Sequence, residues 1–200
     1  MARYGRKPHR KQHSTLLMVM LIVLAGCTVW LFWKGASWYS GFSGKSTAYD
    51  AIILDAARRN QLDPRLIKAV IWRESRFHSG AIGKAGEIGL MQIMQSNAVT
   101  DWAKAHNRPI PPKGALFNPA LNIEIGSWYL SRAIRRWNRY RDCYVLALCE
   151  YNAGLSRANR WKPADPKGDV RSNISISSTL SYVNVVLDRY EKYKETWEIK

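Results

Sequence analysis

The chain of 200 residues contains only three cysteines. Cys27 lies in an apolar N-terminal run, while Cys143 and Cys149 are six positions apart in a predicted helix and point to different sides of it. This scarcity argues against a framework of disulfide bonds. No spacing of cysteine and histidine fits a metal site either, so we expect no metal and no other cofactor.

Acidic residues are also scarce: 15 Asp and Glu stand against 31 Lys and Arg, which gives a net charge of +16. A surface this basic attracts polyanions, either nucleic acid or an envelope polymer that carries carboxylates. No helix-turn-helix, RRM-like or zinc-finger pattern accompanies the charge. Because the case for a nucleic-acid partner rests on charge alone, we expect none.

Strand patterns and internal repeats are missing too, apart from a short alternating stretch at 173–176. Apolar residues recur instead at helical spacing, and cap or turn residues separate the groups. Helices are predicted over about residues 47–60, 64–74, 96–106, 119–138, 143–152 and 179–194, with caps at Asp63, Asn118, Asp142 and Ser178. In the longest helix we expect Leu121, Ile125, Trp128, Tyr129 and Ile134 to lie inside. The sequence therefore predicts an all-α domain over residues 47–200.

One long apolar run is present, from Leu16 to Trp33, and it contains no charge. As a helix it would extend about 27 Å, enough to cross the core of a bilayer. It follows a basic tail at residues 1–15 and precedes a linker at 34–46 that is rich in glycine and serine. Since positive flanks stay in the cytoplasm, the pattern predicts a signal-anchor helix with the domain on the outer side of the membrane.

A second interpretation of this run concerns Cys27. The stretch Leu24–Cys27 resembles the lipobox at which bacterial lipoproteins are cut and acylated. The chain stays apolar after Cys27, where lipoproteins usually become polar, so the uncleaved anchor is favoured and lipidation stays open. Both interpretations tether the domain outside the cytoplasm, away from nucleic acid.

The strongest candidate for chemistry is Glu74, near the start of the stretch 72–94 (WRESRFHSGAIGKAGEIGLMQIM). It shares one helix face with Ile67, Val70 and Ile71, at the spacing i, i+3, i+4 and i+7. A carboxyl on an apolar face loses hydration, and its pKa rises. Such a group holds a proton near neutral pH and donates it to a leaving group, so Glu74 is predicted to be a general acid.

Three short motifs occur in order: Glu74–Ser75, Gly89–Gln92 (Gly-Leu-Met-Gln) and Tyr151–Gly154 (Tyr-Asn-Ala-Gly). Each is weak alone. At these separations, in an all-helical chain, they resemble the SLT-type lytic transglycosylases, whose catalytic domain is related to goose-type lysozyme. The resemblance covers about residues 49–193 and implies a lysozyme-like helical fold.

The resemblance also implies a reaction and a site. The family cleaves the β-1,4 bond between N-acetylmuramic acid (MurNAc) and N-acetylglucosamine (GlcNAc) in peptidoglycan without water, leaving a 1,6-anhydroMurNAc end. The partners implied are peptidoglycan strands, reached from the periplasmic side of a bacterial inner membrane. By position, Glu74 would be the sole catalytic acid and base, Met91 and Gln92 would line the cleft, Tyr151 and Asn152 would contact the muramyl sugar, and Tyr182 would lie beside the catalytic carboxyl.

The sequence departs from the family pattern at Gly83, nine residues after Glu74, where many members have a serine. This departure concerns fine positioning and subsite preference rather than the reaction class. Two other functions remain open. A hydrolytic muramidase on the same fold would need a carboxylate to activate water, for which Glu87 is the best candidate. A wall-binding or assembly protein without activity would not require the intact Glu74.

Overall fold

A computed structural model describes residues Met20, 26–30 and 47–199. The chain divides into two compact units, Met1–Lys45 and Ser46–Lys200. The helices and the candidate site discussed below all belong to the second unit.

The predicted basic tail (1–15) and linker (34–46) lie outside the described residues, as does most of the predicted anchor (16–33). Residues 26–30, which include Cys27, are helical and exposed. Within the part of the chain that the structure describes, every helix is too short or too polar to reach across a lipid bilayer.

The regular elements of residues 47–199 are all helices, which confirms the predicted all-α class. The helices are α1 (Asp50–Asn60), α2 (Pro64–Ser75), α3 (Thr100–Ala105), α4 (Pro119–Arg136), α5 (Cys143–Ala153), α6 (Leu155–Trp161) and α7 (Ser177–Thr196). A π turn (Gln95–Val99) and two 3-10 turns (Lys113–Phe117 and Arg171–Asn173) lie between them. No strand occurs in this range; the alternating stretch at 173–176 begins inside the 3-10 turn Arg171–Asn173 and forms no strand.

Two of the four predicted caps are present. The Asp63 carboxylate accepts a hydrogen bond from the backbone N–H of Arg65 at 2.9 Å and starts α2. The Asn118 side chain accepts one from Leu121 at 3.1 Å and starts α4. In both helices a proline occupies the first turn, where no backbone donor is needed.

Asp142 occupies the N-cap position of α5, as predicted, but without a cap hydrogen bond, and the cap prediction for Ser178 was wrong. The Asp142 side chain makes no cap bond to α5 and turns instead to the backbone N–H of Val170, at 3.4 Å. Ser178 lies within α7, which begins one residue earlier, after the extended Ile176. The start of α7 is set by the flanking extended backbone, because a cap residue alone stabilises a helix by only about 1 kcal/mol.

The core is built around α2, which packs against α7 and α1. Ile67, Val70 and Ile71 have no exposed surface, so the face predicted for Glu74 is the buried face of α2. Val183 and Val186 meet it from α7 and are likewise fully buried. Burial of this apolar seam, at about 1.5–3 kcal/mol per large side chain, fixes the end of α2 where Glu74 lies.

Helix α4 turns a different face inward from the one predicted. Ile125 is fully buried as expected, but Leu121, Trp128, Tyr129 and Ile134 are only half-buried. The inward face carries small and polar residues as well as apolar ones: Asn122, Ile123, Gly126, Ser127, Leu130, Ser131 and Ala133. The irregular loop that follows α2 packs against this face.

Candidate active site

Glu74 lies in the last turn of α2 and is partly buried. The Tyr182 hydroxyl, from α7, donates a hydrogen bond to its Oε1 atom at 2.7 Å. Tyr182 is only 1% exposed, and its burial together with the adjacent Glu74 raises the pKa of the phenol well above its usual value. It therefore stays protonated at neutral pH and acts as a donor.

Loss of hydration raises the pKa of the Glu74 carboxyl to about 7. The Tyr182 hydrogen bond and the charge of Arg73 act in the opposite direction, while the charge of Glu87 adds to the increase. At neutral pH the carboxyl thus occurs in both its protonated and its ionised form. A group of this kind both donates and accepts a proton without a large energetic cost.

The Gly-Leu-Met-Gln segment lies directly against the end of α2. The Ser75 hydroxyl donates to the Leu90 carbonyl at 2.8 Å and joins the segment to the helix. Two of its residues have left-handed backbone conformations, Gly89 with φ of 80° and Gln92 with φ of 46°. This tight turn brings the Gln92 side chain back toward Glu74 in the same cleft.

Asn122 of α4 holds this segment in place. Its side-chain oxygen accepts a hydrogen bond from the Met91 N–H, and its amide donates to the carbonyls of Ile88 and Leu116, each at 2.8 Å. A Cβ atom at Gly89 would lie 2.3 Å from the Asn122 amide nitrogen. The glycine is therefore required for this close approach as well as for the turn.

The structure places Met91 in the core, not in the cleft. Its side chain is fully buried against Gly126 and Ser127 of α4, and a Cβ atom at Gly126 would lie 2.5 Å from the Met91 sulfur. The backbone of Met91 nevertheless contributes to the site, because its carbonyl accepts a hydrogen bond from the Tyr151 hydroxyl at 2.8 Å.

A cleft of about 400 Å³ opens beside Glu74. The structure brings Gln92, Tyr151 and Asn152 together along it, whereas Tyr182 lies behind Glu74 in the core. The remaining lining residues include Gly83, Lys84, Glu87, Ile93, Met94, Asn97, Tyr129, Gly154 and Arg157. The walls thus combine aromatic rings with amide and charged groups, as sugar-binding clefts do.

The polar side chains of the cleft are partly held by the protein. Gln92 donates to the carbonyls of Ala81 at 3.2 Å and Gly89 at 2.9 Å. The Asn152 oxygen accepts from the Thr179 hydroxyl at 2.9 Å, which fixes the amide and leaves its N–H₂ group to a ligand. These groups are oriented before any substrate arrives.

Two further acids line the same cleft, and they differ in their surroundings. Glu150 is 1% exposed, receives a hydrogen bond from the Trp137 indole at 2.8 Å and lies 3.3 Å from the Arg136 guanidinium. Glu87 is half-buried and makes no ion pair among residues 47–199. Glu150 is therefore committed to the core, and Glu87 is the second carboxylate available to a ligand.

The sequence reasoning missed Asn122, Gly126 and Tyr129. The available signal was an asparagine and a glycine on the inward face of a long amphipathic helix, where apolar residues are expected. A buried amide needs partners, and the nearest unpaired backbone is that of an irregular loop. Tyr129 faces the cleft because its ring packs edge-on against Tyr151, with centroids 5.8 Å apart.

Comparison with known proteins gives one family. A family model described as the transglycosylase SLT domain matches residues 51–174. The membrane-bound lytic murein transglycosylase C of Salmonella arizonae is 36% identical over 84 residues, which are 42% of this chain and 23% of that protein. The protein of the same name from Klebsiella pneumoniae subsp. pneumoniae is 34% identical over the same shares. The match thus spans less than a quarter of these curated relatives.

Solved structures share the fold. An inactive Glu-to-Gln mutant of the lytic transglycosylase Slt from Pseudomonas aeruginosa is similar over 75% of this chain and 24% of its own, with a TM-score of 0.67 and 29% identity. A complex of the 70-kDa soluble lytic transglycosylase with bulgecin A is similar over 77% of this chain and 25% of its own, with a TM-score of 0.67 and 25% identity.

Proposed function

Because the chain belongs to the transglycosylase SLT domain family, we propose that it is a lytic transglycosylase, which cleaves the MurNAc-β-1,4-GlcNAc bond of peptidoglycan and leaves 1,6-anhydroMurNAc ends. The observation that carries the proposal is the state of Glu74: a partly buried carboxyl with a pKa of about 7, in a cleft with Gln92, Tyr151 and Asn152. The relatives named as lytic transglycosylases support the reaction class, and the inactive Glu-to-Gln mutant supports an essential glutamate in one of them.

In the first step Glu74 acts as a general acid. Since the Tyr182 hydroxyl donates to Oε1, the acidic proton is left to Oε2 and is available to the substrate. This proton passes to the glycosidic oxygen as the bond from that oxygen to the anomeric carbon of MurNAc breaks. The GlcNAc product leaves with a new 4-hydroxyl, and positive charge develops on the sugar.

In the second step the substrate supplies the nucleophile. The acetamido oxygen of MurNAc bonds to its own anomeric carbon, so the enzyme needs no second carboxylate. Ionised Glu74 then takes the proton from the 6-hydroxyl of the same sugar, and that oxygen displaces the acetamido oxygen from the anomeric carbon. The attack is intramolecular and is favoured by proximity over attack by water. Glu74 regains its proton and the ring closes as the 1,6-anhydro product.

Tyr182 fits both steps as a positioning residue. Its hydrogen bond stabilises the ionised form of Glu74, which offsets part of the increase in pKa that burial causes. Without that bond the carboxyl would be a weaker acid in the first step. With it, the pKa stays close to neutral pH, where a single carboxyl serves as acid and then as base.

A hydrolytic muramidase is the second candidate, and one observation favours it. Glu87 lines the same cleft as Glu74 and carries no ion-pair partner among residues 47–199. A water molecule bound between the two carboxylates would be activated for attack on the anomeric carbon. The product would then be a reducing MurNAc end, which differs in mass by one water from the anhydro end.

For the cellular setting, we propose that residues 16–33 anchor the chain in the bacterial inner membrane with residues 47–200 in the periplasm. The uncharged run, the basic residues before it and the words "membrane-bound" in the names of the relatives support this. The alternative is a lipoprotein acylated at Cys27. Mass analysis of the N-terminal peptide from a membrane fraction distinguishes the two, since acylation requires cleavage before Cys27.

The reaction is tested by mass spectrometry of the products that the purified chain releases from peptidoglycan. We expect anhydromuramyl ends with the native chain and none with Glu74→Gln, a substitution that preserves size and removes the proton. Reducing ends would assign a muramidase. Binding to peptidoglycan without release of any product would assign a wall-binding protein.

A further inference from the structure

The absence of a side chain at Gly83 creates a space in the cleft, and Glu87 fills it. A Cβ atom at Gly83 would lie 2.2 Å from Oε2 of Glu87 and 2.8 Å from Oε1 of Gln92. These separations are far below van der Waals contact, so a serine at this position and the present position of the Glu87 carboxylate exclude each other. The departure from the family pattern at Gly83 and the acid at Glu87 are thus one structural feature.

The loop geometry holds the Glu87 carboxylate on the cleft side. The Gly83 N–H donates to the backbone carbonyl of Glu87 at 2.7 Å and closes the loop. The Ala85 N–H donates to Oε2 of Glu87 at 3.0 Å. Oε1 accepts no hydrogen bond from any residue in the range 47–199 and keeps both of its lone pairs for a ligand.

We propose that the Glu87 carboxylate, from the position that it occupies beside Gly83, contacts the substrate and accepts a hydrogen bond from an N–H or O–H of the sugar bound beside Glu74. The inference rests on the proposed function in one respect, that the cleft binds amino sugars. Under this inference, a carboxylate takes the position that a neutral hydroxyl has in many family members. The subsite would therefore select ligand groups that donate hydrogen bonds. A charged acceptor forms a stronger hydrogen bond than a neutral one.

The same carboxylate acts on Glu74 through its charge. Like burial, the charge of Glu87 raises the pKa of Glu74, whereas the Tyr182 hydrogen bond and the charge of Arg73 lower it. Tyr151, the other titratable group facing Glu74, stays protonated because burial raises its pKa well above the usual value. Neutralising Glu87 therefore leaves Glu74 a stronger acid.

The test measures binding of the tetrasaccharide of GlcNAc by isothermal titration calorimetry. This ligand is neutral, so a change in its Kd reports the hydrogen bond and not attraction between charges. We expect the Kd to increase about tenfold for Glu87→Ala and by a smaller factor for Glu87→Gln, which retains a neutral acceptor. Glu195→Gln is the matched control, because it removes the same charge from an exposed part of α7.

Exchanging the side chains at positions 83 and 87 tests whether binding depends on which group fills the space at Gly83. Gly83→Ser alone displaces the flexible end of Glu87 and should weaken binding about as much as Glu87→Ala. The double variant Gly83→Ser, Glu87→Ala places a hydroxyl in the vacated space, and we expect its Kd to return to within about threefold of the native value. Thermal unfolding of each variant verifies that the fold is retained.

The second readout is the pKa of Glu74, measured by NMR titration of its carboxyl carbon in the native chain and in Glu87→Gln. We expect a decrease in Glu87→Gln and none in Glu195→Gln. Native affinity in Glu87→Ala, or no binding of the tetrasaccharide by the native chain, would overturn the inference. The two hypotheses can fail separately. If the native chain forms anhydro products but its affinity does not depend on Glu87, only the proposed contact is overturned. If Glu87 contributes to binding but no anhydro products form, only the proposed reaction is overturned.

Discussion

Tyr182 and Glu74 are joined by a hydrogen bond of 2.7 Å across 108 positions of sequence. The bond connects α7, near the C-terminus, to the end of α2, and both residues are held by the apolar seam between these helices. The pKa of the proposed catalytic acid therefore depends on tertiary packing, and it is set only once α7 has docked on α2.

Replacing Glu74 by glutamine should abolish the proton transfers and leave the fold intact. General acid–base catalysis contributes about 10²–10⁴-fold, so we expect the rate of release of anhydromuramyl products to fall by at least about 100-fold. The measurement is the initial rate on purified peptidoglycan. Glu195→Gln, on the exposed part of α7, should keep the native rate; comparable activity in Glu74→Gln would remove Glu74 from the mechanism.

Glu74 should also make stability depend on pH. Its pKa is about 7 in the folded chain and has a reference value of 4.5, so the folded state binds more protons than the unfolded state between these values. The free energy of unfolding therefore decreases as pH rises from about 4.5 to 7, by about 3 kcal/mol in total.

Urea unfolding of the native chain and of Glu74→Gln across this range measures the effect. The difference in stability between the two should grow in favour of Glu74→Gln as pH rises. A constant difference over the whole range would mean that the carboxyl titrates normally in the folded state.

Tyr182→Phe should make Glu74 a weaker acid. The hydrogen bond from Tyr182 lowers the pKa of Glu74, so its removal raises that pKa further above 7. The rate at pH 7 should fall about tenfold, because the ionised form of Glu74 is no longer stabilised by a hydrogen bond from Tyr182. The decline of activity on the alkaline side should move to higher pH. The pH dependence of kcat decides the matter; an unshifted profile would show that Tyr182 serves packing only.

Asn122→Ala should destabilise the loop that carries the cleft. It removes three hydrogen bonds of 2.8 Å and leaves the Leu116 carbonyl and the Met91 N–H without partners, while the Ile88 carbonyl keeps only its bond from the Ile93 N–H. We expect a loss of about 2–4 kcal/mol in the free energy of unfolding. Asn138→Ala, at an exposed position just past α4, should cost less than about 0.5 kcal/mol in the same urea experiment.

Local signals in the sequence were enough to predict six of the seven α-helices in residues 47–199, all except α6, and the position of Glu74. Asp63 and Asn118 cap because their side chains find backbone donors two or three residues ahead, a purely local event. Glu74 faces the core because helical periodicity fixes its side relative to Ile67 and Val70. Such features depend on spacing within one element, which the sequence displays directly.

Features that depend on which elements meet were not predictable in this way. The periodicity of α4 pointed Trp128 and Tyr129 inward, but its inner face is set by a loop that needs Asn122 as a hydrogen-bond partner. Met91, expected in the cleft, fills the notch at Gly126. The Glu87 carboxylate occupies the space at Gly83 because the loop that holds both residues closes on itself, which the sequence does not display.

The burial of Met91 has a consequence for oxidative damage. Two methionines flank Gln92 at short range, and only Met94 is partly exposed and lines the cleft, while Met91 has no accessible surface. Peroxide should therefore convert Met94 to its sulfoxide in the native protein and reach Met91 only after the core opens. The sulfoxide content of these two residues then separates surface oxidation from unfolding, and oxidation of Met91 would prevent its return to the notch in α4, because the polar sulfoxide does not fit against Gly126.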